Sequence, residues 1–122
     1  MDKKRILIAE DEKAIAKALS LKLESAGYET KVAYNGQEAI DELKAGQYDL
    51  MFMDLIMPKT DGFSVLEQMQ EQDIKVPVIV LSNLSQENDL EKAKKLGAKD
   101  YFIKSDTPLA EIVDYARKII GK

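Results

Sequence analysis

The sequence has no cysteine, no histidine and no tryptophan among its 122 residues. Without cysteine it can form neither a disulfide nor a thiolate metal site, a composition that suits a reducing cytoplasm. Without histidine, a Ser-His-Asp triad, a His-ligated zinc ion and a histidine general base are all excluded. Any chemistry must therefore use carboxylates, lysine, hydroxyl groups and a metal ion that such groups can hold.

Long apolar runs and an excess of positive charge are missing as well. No apolar stretch approaches the length of a membrane span, and the charged start at residues 1–5 does not resemble an export signal. The 18 basic and 22 acidic residues give a net charge of −4, which disfavours direct nucleic-acid binding. We expect a cytoplasmic protein with no membrane insertion. Its length and composition, 45% hydrophobic and 33% charged, predict one domain over residues 1–122 and leave little room for a second.

Short apolar runs alternate with longer amphipathic segments along the chain. The runs predict strands at residues 6–9, 29–33, 50–53, 78–81 and 101–103. Helical periodicity predicts helices at residues 13–26, 36–45, 63–72 and 85–96, and a last helix capped by Thr107 with Pro108 in first position. The first helix is expected to align one face consisting of Ile15, Ala18, Leu19, Lys22 and Ala26. This alternation predicts a doubly wound (βα)5 fold, α/β in class, with helices on both faces of a parallel sheet.

Polar side chains follow four of the predicted strands. Glu10 and Asp11 follow the first strand, Asp54 the third, Ser82 the fourth and Lys104 the fifth. Ligands of open α/β sheets bind beyond the carboxyl ends of the strands, where the strand order reverses. Three acids, one hydroxyl and one ammonium are therefore expected at one edge of the sheet.

Each of these residues also has an ordinary explanation. Asp11 can cap a helix, Asp54 can start the turn around Pro58, and Lys104 can be a surface charge. If the strands lie in the order 2-1-3-4-5, however, Asp11 and Asp54 are neighbours. Each like-charge contact at about 4 Å costs roughly 4 kcal/mol at an effective dielectric near 20, so the arrangement calls for a cation.

The ligand type selects that cation. Carboxylates, water and a phosphate describe a Mg²⁺ site; Mn²⁺ can substitute, whereas zinc needs nitrogen or sulfur donors. With the acids neutralised and Lys104 nearby, a phosphoryl group has a favourable place to bind. Asp54 can then act as a carboxylate nucleophile and form an aspartyl phosphate.

These residues resemble, in order and over the whole chain, the receiver domain of two-component response regulators, of the stand-alone chemotaxis type. The resemblance rests on Glu10-Asp11, on Asp-Leu-Ile-Met-Pro-Lys-Thr-Asp-Gly at residues 54–62, and on Ser82 and Lys104. It implies a flavodoxin-like three-layer sandwich with strand order 2-1-3-4-5. It also implies a phosphorelay signalling switch that is not a turnover enzyme. We expect a single receiver domain with no output domain, or a receiver excised from a longer protein.

The resemblance assigns roles to the metal-binding residues and to the partners. Asp54 would receive the phosphoryl group from a phosphohistidine on a sensor histidine kinase or phosphotransfer protein, or from a small donor. Asp11 and Asp54 would bind Mg²⁺ directly with the backbone carbonyl of Ile56, and Glu10 would act largely through water.

Three further residues would respond to the phosphoryl group. Lys104 and Ser82 would contact its oxygens, and Tyr101 matches the switch aromatic of the family. The surface of the fourth helix, fifth strand and fifth helix would then change and regulate a downstream protein.

The sequence departs from the family pattern at two positions. Asn83 stands where a small residue is usual, and can narrow access to the site or add a hydrogen bond. Ser105 stands where proline is usual, and we expect a trans bond before it because a non-proline cis bond costs about 2.5–4 kcal/mol.

Two positions that tune rates in receivers, Ile56 and Leu84, are apolar and cannot orient water, which predicts slow loss of phosphate.

Three alternatives remain open from the sequence. A phosphorylation-independent pseudo-receiver that only binds proteins is supported by Asn83 and Ser105. A flavodoxin-like cofactor binder is disfavoured because Glu10 and Asp11 would repel a phosphate. A Mg²⁺-dependent phosphohydrolase would need a positioned general acid or base, and apolar Ile56 and Leu84 provide none.

Overall fold

The computed structural model describes residues 3–84 and 86–121, and strands alternate with helices throughout. The strands are β1 (Arg5–Ala9), β2 (Glu29–Ala33), β3 (Leu50–Met53), β4 (Val78–Ser82) and β5 (Asp100–Ile103). The helices are α1 (Lys13–Ser25), α2 (Gly36–Ala45), α3 (Gly62–Glu71), α4 (Glu87–Lys95) and α5 (Leu109–Ile120). A 3₁₀ turn, Lys104–Asp106, follows β5. Every predicted strand and helix is present.

The five strands form one parallel sheet in the order β2-β1-β3-β4-β5, as predicted. The order reverses between β1 and β3, so their carboxyl ends define the switch point. Ala9 pairs with Met53 at the end of these two strands. The residues that follow them, Glu10 and Asp54, therefore leave adjacent strands at the same level.

Helices cover both faces of the sheet, which gives three layers. On one face Leu7 and Met51 belong to a buried cluster that includes residues of α2, α3 and α4. On the other face Ile8 and Phe52 pack in a second cluster with α1 and α5. β3 and β4 are buried along their whole length, which explains why their sequences are continuous apolar runs rather than alternating ones.

The predicted inner face of α1 is partly wrong. Ala18 and Lys22 are exposed, and the buried residues of this helix are Ala16, Leu19 and Leu23. The buried stripe follows the i, i+3, i+7 spacing of a helix that packs on one flank against the sheet and on the other against α5.

The predicted start of α5 is also wrong by one residue. Pro108 has extended backbone angles (φ −61°, ψ 148°) and occupies the N-cap, so the helix begins at Leu109. Thr107 does not cap it, because its hydroxyl donates to the carbonyl of Ile103 at 2.8 Å and closes the 3₁₀ turn instead. The predicted first residue of the fourth helix, Ser85, lies outside the described residues.

Two glycines hold the loop between β3 and α3 against its surroundings. A Cβ at Gly36, the first residue of α2, would lie 1.8 Å from the carbonyl oxygen of Thr60. A Cβ at Gly62 would lie 2.8 Å from the carbonyl oxygen of Asp54. Only glycine permits both approaches, so the loop that follows Asp54 is fixed from two sides.

Among the helices of residues 3–84 and 86–121, none combines the length and apolar character that crossing a bilayer requires.

Candidate functional site

The predicted site residues meet at the carboxyl edge of the sheet. Glu10 and Asp11 lie just beyond β1, Asp54 just beyond β3, Ser82 at the end of β4, and Lys104 at the start of the 3₁₀ turn. A cavity of about 270 Å³ opens here. Its lining residues are Asp11, Glu12, Asp54, Ile56, Ser82, Asn83, Leu84 and Lys104.

Lys104 joins two of the carboxylates. Its Nζ lies 2.7 Å from Glu10 Oε1 and 2.9 Å from Asp54 Oδ2. The three side chains are nearly buried, with 10%, 5% and 7% of their surface exposed. Burial alone would lower the pKa of Lys104, but its hydrogen bonds to Glu10 and Asp54 raise that pKa above the ordinary value. Lys104 is therefore a charged, oriented ammonium at neutral pH.

Glu10 is buried and paired. Besides Lys104, its carboxylate accepts a hydrogen bond from the backbone N–H of Glu12 at 3.1 Å. Burial raises the pKa of Glu10, and the hydrogen bond from Lys104 counteracts this rise without cancelling it. The sequence identified Glu10 as a site residue, but it did not predict that this acid is a direct partner of the lysine.

Three carboxylates form a compact oxygen cluster. Glu10, Asp11 and Asp54 each present an oxygen, and these atoms all lie within 4.8 Å of one another. Asp11 is exposed on the cavity side, whereas Asp54 is buried and accepts a hydrogen bond from Ile56 N–H at 3.2 Å. An all-oxygen set with one open side suits a hard divalent cation that retains water ligands, and Mg²⁺ is such an ion.

Ser82 and Tyr101 both contact the backbone of Leu84. Ser82 is completely buried, and its Oγ accepts a hydrogen bond from Leu84 N–H at 3.3 Å. The Tyr101 hydroxyl donates to the Leu84 carbonyl at 2.6 Å, and the residue is 9% exposed. Burial raises the pKa of Tyr101 above its ordinary value. The hydroxyl beside the cavity and the predicted switch aromatic are thus connected through one residue.

Sequence reasoning missed Glu12 as a site residue. Its carboxylate lies 3.9 Å from Lys104 Nζ at the rim of the cavity, and its side chain is 62% exposed. The signal was present, because Glu12 is the third of three consecutive acids after β1.

Asn83 and Ser105, the two residues that depart from the family pattern, contact each other. The amide oxygen of Asn83 accepts a hydrogen bond from the backbone N–H of Ser105 at 2.8 Å, so Asn83 does add the hydrogen bond that the sequence allowed. The bond before Ser105 is trans, as expected, and no cis peptide occurs within residues 3–84 and 86–121.

Comparison with known proteins agrees with this geometry. Residues 6–116 match the family model described as the response regulator receiver domain. The chain is 38% identical over 111 residues to the transcriptional regulatory protein DltR of Streptococcus agalactiae, covering 88% of this chain and 50% of DltR. It is 34% identical to the alkaline phosphatase synthesis transcriptional regulatory protein PhoP of Bacillus subtilis, over 86% of this chain and 44% of PhoP.

Two solved structures are similar over nearly their whole length. The receiver domain of the Francisella response regulator 1452 has a TM-score of 0.90 and 32% identity, with 96% of each chain covered. The response regulator TrrA of Thermotoga maritima, solved in complex with Mg²⁺-BeF, has a TM-score of 0.83 and 30% identity. That comparison covers 95% of this chain and 98% of TrrA.

The chain spans about half the length of the curated relatives it matches. The match to the family model nonetheless covers most of the chain, and the strand order and the carboxylate cluster at the switch point fit it. This chain belongs to the response regulator receiver domain family, the signal-receiving component of two-component systems.

Proposed function

We propose that this protein is a phosphorelay switch in which Asp54 accepts a phosphoryl group in a Mg²⁺-dependent reaction. The donor is a phosphohistidine on a sensor histidine kinase or phosphotransfer protein, or a small phosphodonor. The single observation that carries the proposal is the buried Asp54 carboxylate, held 2.9 Å from Lys104 within a cluster of three acids.

The transfer needs little proton chemistry at the acceptor. A carboxylate oxygen of Asp54 attacks phosphorus, and the bond from phosphorus to the nitrogen of the donor histidine breaks. The bonding electron pair leaves with the imidazole, and an acyl phosphate remains on Asp54. Lys104 supports this step because its ammonium already lies beside Asp54 and can pair with a phosphoryl oxygen.

The cation site of the proposal consists of Glu10, Asp11 and Asp54, together with the backbone carbonyl of Ile56. Mg²⁺, or Mn²⁺ in its place, supplies neutralisation of the acids and of the incoming phosphoryl oxygens. The compact oxygen cluster supports this assignment, as does the relative TrrA, which was solved in complex with Mg²⁺-BeF.

The output of the switch follows from the added charge. A phosphoryl group brings about −1.5 to −2 charge to one point, and nearby donors reorganise to meet it. In the proposal Ser82 turns its hydroxyl toward the phosphoryl group and away from Leu84. Because Tyr101 also binds Leu84, its contact changes with that loop. The surface of α4, β5 and α5 then presents a different face to a downstream protein.

Loss of the phosphoryl group should be slow. Ile56 is 59% exposed beside the cavity and Leu84 lines it, and neither side chain can orient a water molecule. We expect the phosphorylated protein to persist for minutes or longer with Mg²⁺ at neutral pH, measured as the decay of the added mass. Decay within seconds would contradict this expectation.

The proposal is tested by intact mass after incubation with a small phosphodonor. Wild type should gain one phosphoryl mass with Mg²⁺ and none with a chelator. Asp54→Asn should gain nothing, and Asp41→Asn, an exposed acid on α2, should behave as wild type. The competing pseudo-receiver hypothesis expects no gain in any variant and partner binding that is unchanged by Asp54→Asn.

A further inference from the structure

We propose that Asn83 is a positioning residue: its hydrogen bond from the Ser105 backbone amide couples the end of β4 to the turn that carries Lys104. The inference rests on the proposed phosphorylation of Asp54 and assigns a further residue to that site. We call this hydrogen bond the Asn83–Ser105 tether.

The tether connects two loops just where the strands separate. Ser82 and Ile103 are the last paired residues of β4 and β5. Beyond them the two segments diverge: β4 leads into the loop before α4, and β5 leads into the 3₁₀ turn Lys104–Asp106. The hydrogen bond from Ser105 N–H to the Asn83 side chain, 2.8 Å long, adds one more link between these two segments.

Asn83 lies at the border of two cavities. Asn83 and Lys104 line both the candidate site and a second cavity of about 430 Å³ between α1 and the loop after β5. On the site side, Lys104 must hold its ammonium within hydrogen-bond distance of Glu10 and Asp54. Fixing the next residue, Ser105, restricts the backbone from which the lysine side chain extends.

Both residues are needed for this bond. An alanine or glycine at position 83 would have no side-chain acceptor, and a proline at position 105 would have no N–H to donate. The pair therefore acts as one unit. Since Asn83 directly follows Ser82 in the chain, the tether also links the Ser82 segment to the Lys104 turn.

A double-mutant cycle tests the coupling. Asn83→Ala removes the acceptor, Ser105→Pro removes the donor, and Ser105→Ala is the matched control because it keeps the N–H. We expect each of the first two to lower the rate constant of Asp54 phosphorylation about threefold to tenfold, as for loss of one hydrogen bond. The double variant should be no slower than the slower single variant, because both changes remove the same bond. Ser105→Ala should match wild type.

Two spectroscopic readouts separate positioning from a general structural effect, and neither needs a phosphodonor. The backbone amide hydrogen of residue 105 should exchange faster with solvent in Asn83→Ala than in wild type. It should not exchange faster in Ser105→Ala, which keeps the N–H, or in Asn83→Asp, which keeps a side-chain oxygen acceptor. The NMR signal of Lys104 Nζ should shift in Asn83→Ala and Ser105→Pro, and should stay at its wild-type position in Ser105→Ala.

The outcomes distinguish the two proposals. Failure of wild type to gain a phosphoryl group overturns the proposed function, whereas the exchange and Lys104 measurements still report on the tether. If wild type is phosphorylated but the rates of Asn83→Ala and Ser105→Pro equal its own, or their effects add, the positioning role of Asn83 is wrong. An unchanged Lys104 signal in both variants overturns it as well.

Discussion

Lys104 is the residue on which the charge balance of the site depends. The three carboxylates of the oxygen cluster and the Lys104 ammonium together carry two negative charges, and exposed Glu12 at the rim adds a third. One divalent cation would neutralise the charge of the cluster. The lysine is held by two buried acids, and removing one partner of a buried ion pair is far more costly than never having formed it.

Lys104→Met should therefore lower the free energy of unfolding by about 3 kcal/mol at pH 7 without divalent cations. The reason is that Glu10 and Asp54 then remain buried without their cation. Chemical denaturation followed by circular dichroism measures this. Lys99→Met, at an exposed residue, is the matched control, and equal losses in the two variants would count against the argument.

Tyr48 makes stability depend on alkaline pH. Burial, with a 2.6 Å hydrogen bond to Glu42, raises the pKa of Tyr48 to about 12. Below about pH 10 the Tyr48 hydroxyl is neutral in both the folded and the unfolded chain. Its contribution to the free energy of unfolding is therefore fully present there. Between about pH 10 and 12 the Tyr48 hydroxyl ionises only in the unfolded chain, and this residue contributes a fall of about 1.4 kcal/mol per pH unit in the free energy of unfolding. Tyr115, whose pKa burial also raises to about 12, adds to the total fall.

Tyr48→Phe should accordingly make the fall in the free energy of unfolding above pH 10 less steep than in wild type. Denaturant titrations at pH 9, 10 and 11 measure this slope. Tyr34→Phe changes an exposed ring and should keep the wild-type slope. A slope that is the same in all three proteins would refute the assignment to Tyr48.

Individual site residues could be predicted because each follows a recognisable apolar run. Their pairing could not. The sequence predicts that Glu10, Asp54 and Lys104 reach the same edge of the sheet. Which acid forms an ion pair with the lysine depends on side-chain conformations, which the sequence pattern does not specify. Glu12 was missed because a third acid at the start of a helix is also a common solvated residue.

At the scale of elements, the predictions depend on how strongly the sequence marks each end. Glycines end α1 and α2 close to the predicted positions. The start of α5 was displaced because Thr107 bonds to Ile103 in a 3₁₀ turn, a tertiary choice that a Thr-Pro pair does not reveal. The α1 face was misplaced because alanines are equally acceptable on either side of a helix, so Ala18 was expected inside instead of Ala16. Lys22 was placed on the same face, whereas its neighbour Leu23 is the buried residue.

The contact between α2 and the loop after β3 gives a sharp test. Gly36→Ala places a methyl group 1.8 Å from a backbone oxygen of Thr60, so the loop or the helix must shift. We expect a loss of about 3 kcal/mol in the free energy of unfolding. Gly46→Ala, whose Cβ would lie 3.3 Å from the end of the Arg5 side chain, 3.4 Å from the Tyr48 ring and 3.7 Å from a backbone oxygen of Glu42, meets no contact as close as that at Gly36 and should cost less than about 1 kcal/mol. Comparable costs would mean that the loop yields freely.

At the scale of the whole molecule, the parallel sheet was the most predictable feature. β3 and β4, which are apolar apart from Ser82 at the end of β4, are runs of the kind that is buried between two layers of helices. Right-handed crossovers leave few ways to connect five such strands, and the order 2-1-3-4-5 came with the family resemblance. No comparable rule specifies the exact surface of α4, β5 and α5, which depends on exposed side chains.

Divalent cations should stabilise the whole domain if they bind only the folded state. Mg²⁺ at about five times its dissociation constant should add about 1 kcal/mol to the free energy of unfolding, seen as a rise in the thermal midpoint against NaCl of equal ionic strength. Asp11→Asn should lose most of this rise, and Asp41→Asn should keep it. A rise that survives in Asp11→Asn would place the ion elsewhere.

The burial of the sheet is uneven, and this has a mechanical consequence. β3, which leads to Asp54, is buried at every residue in the centre of the sheet, whereas β5 is an edge strand with mostly half-buried residues. Asp54, the proposed acceptor, therefore follows a strand that is buried throughout, and Lys104 follows the edge strand. Because fewer contacts hold an edge strand in place, we expect a change at Asp54 to displace β5 and the turn after it more than β3.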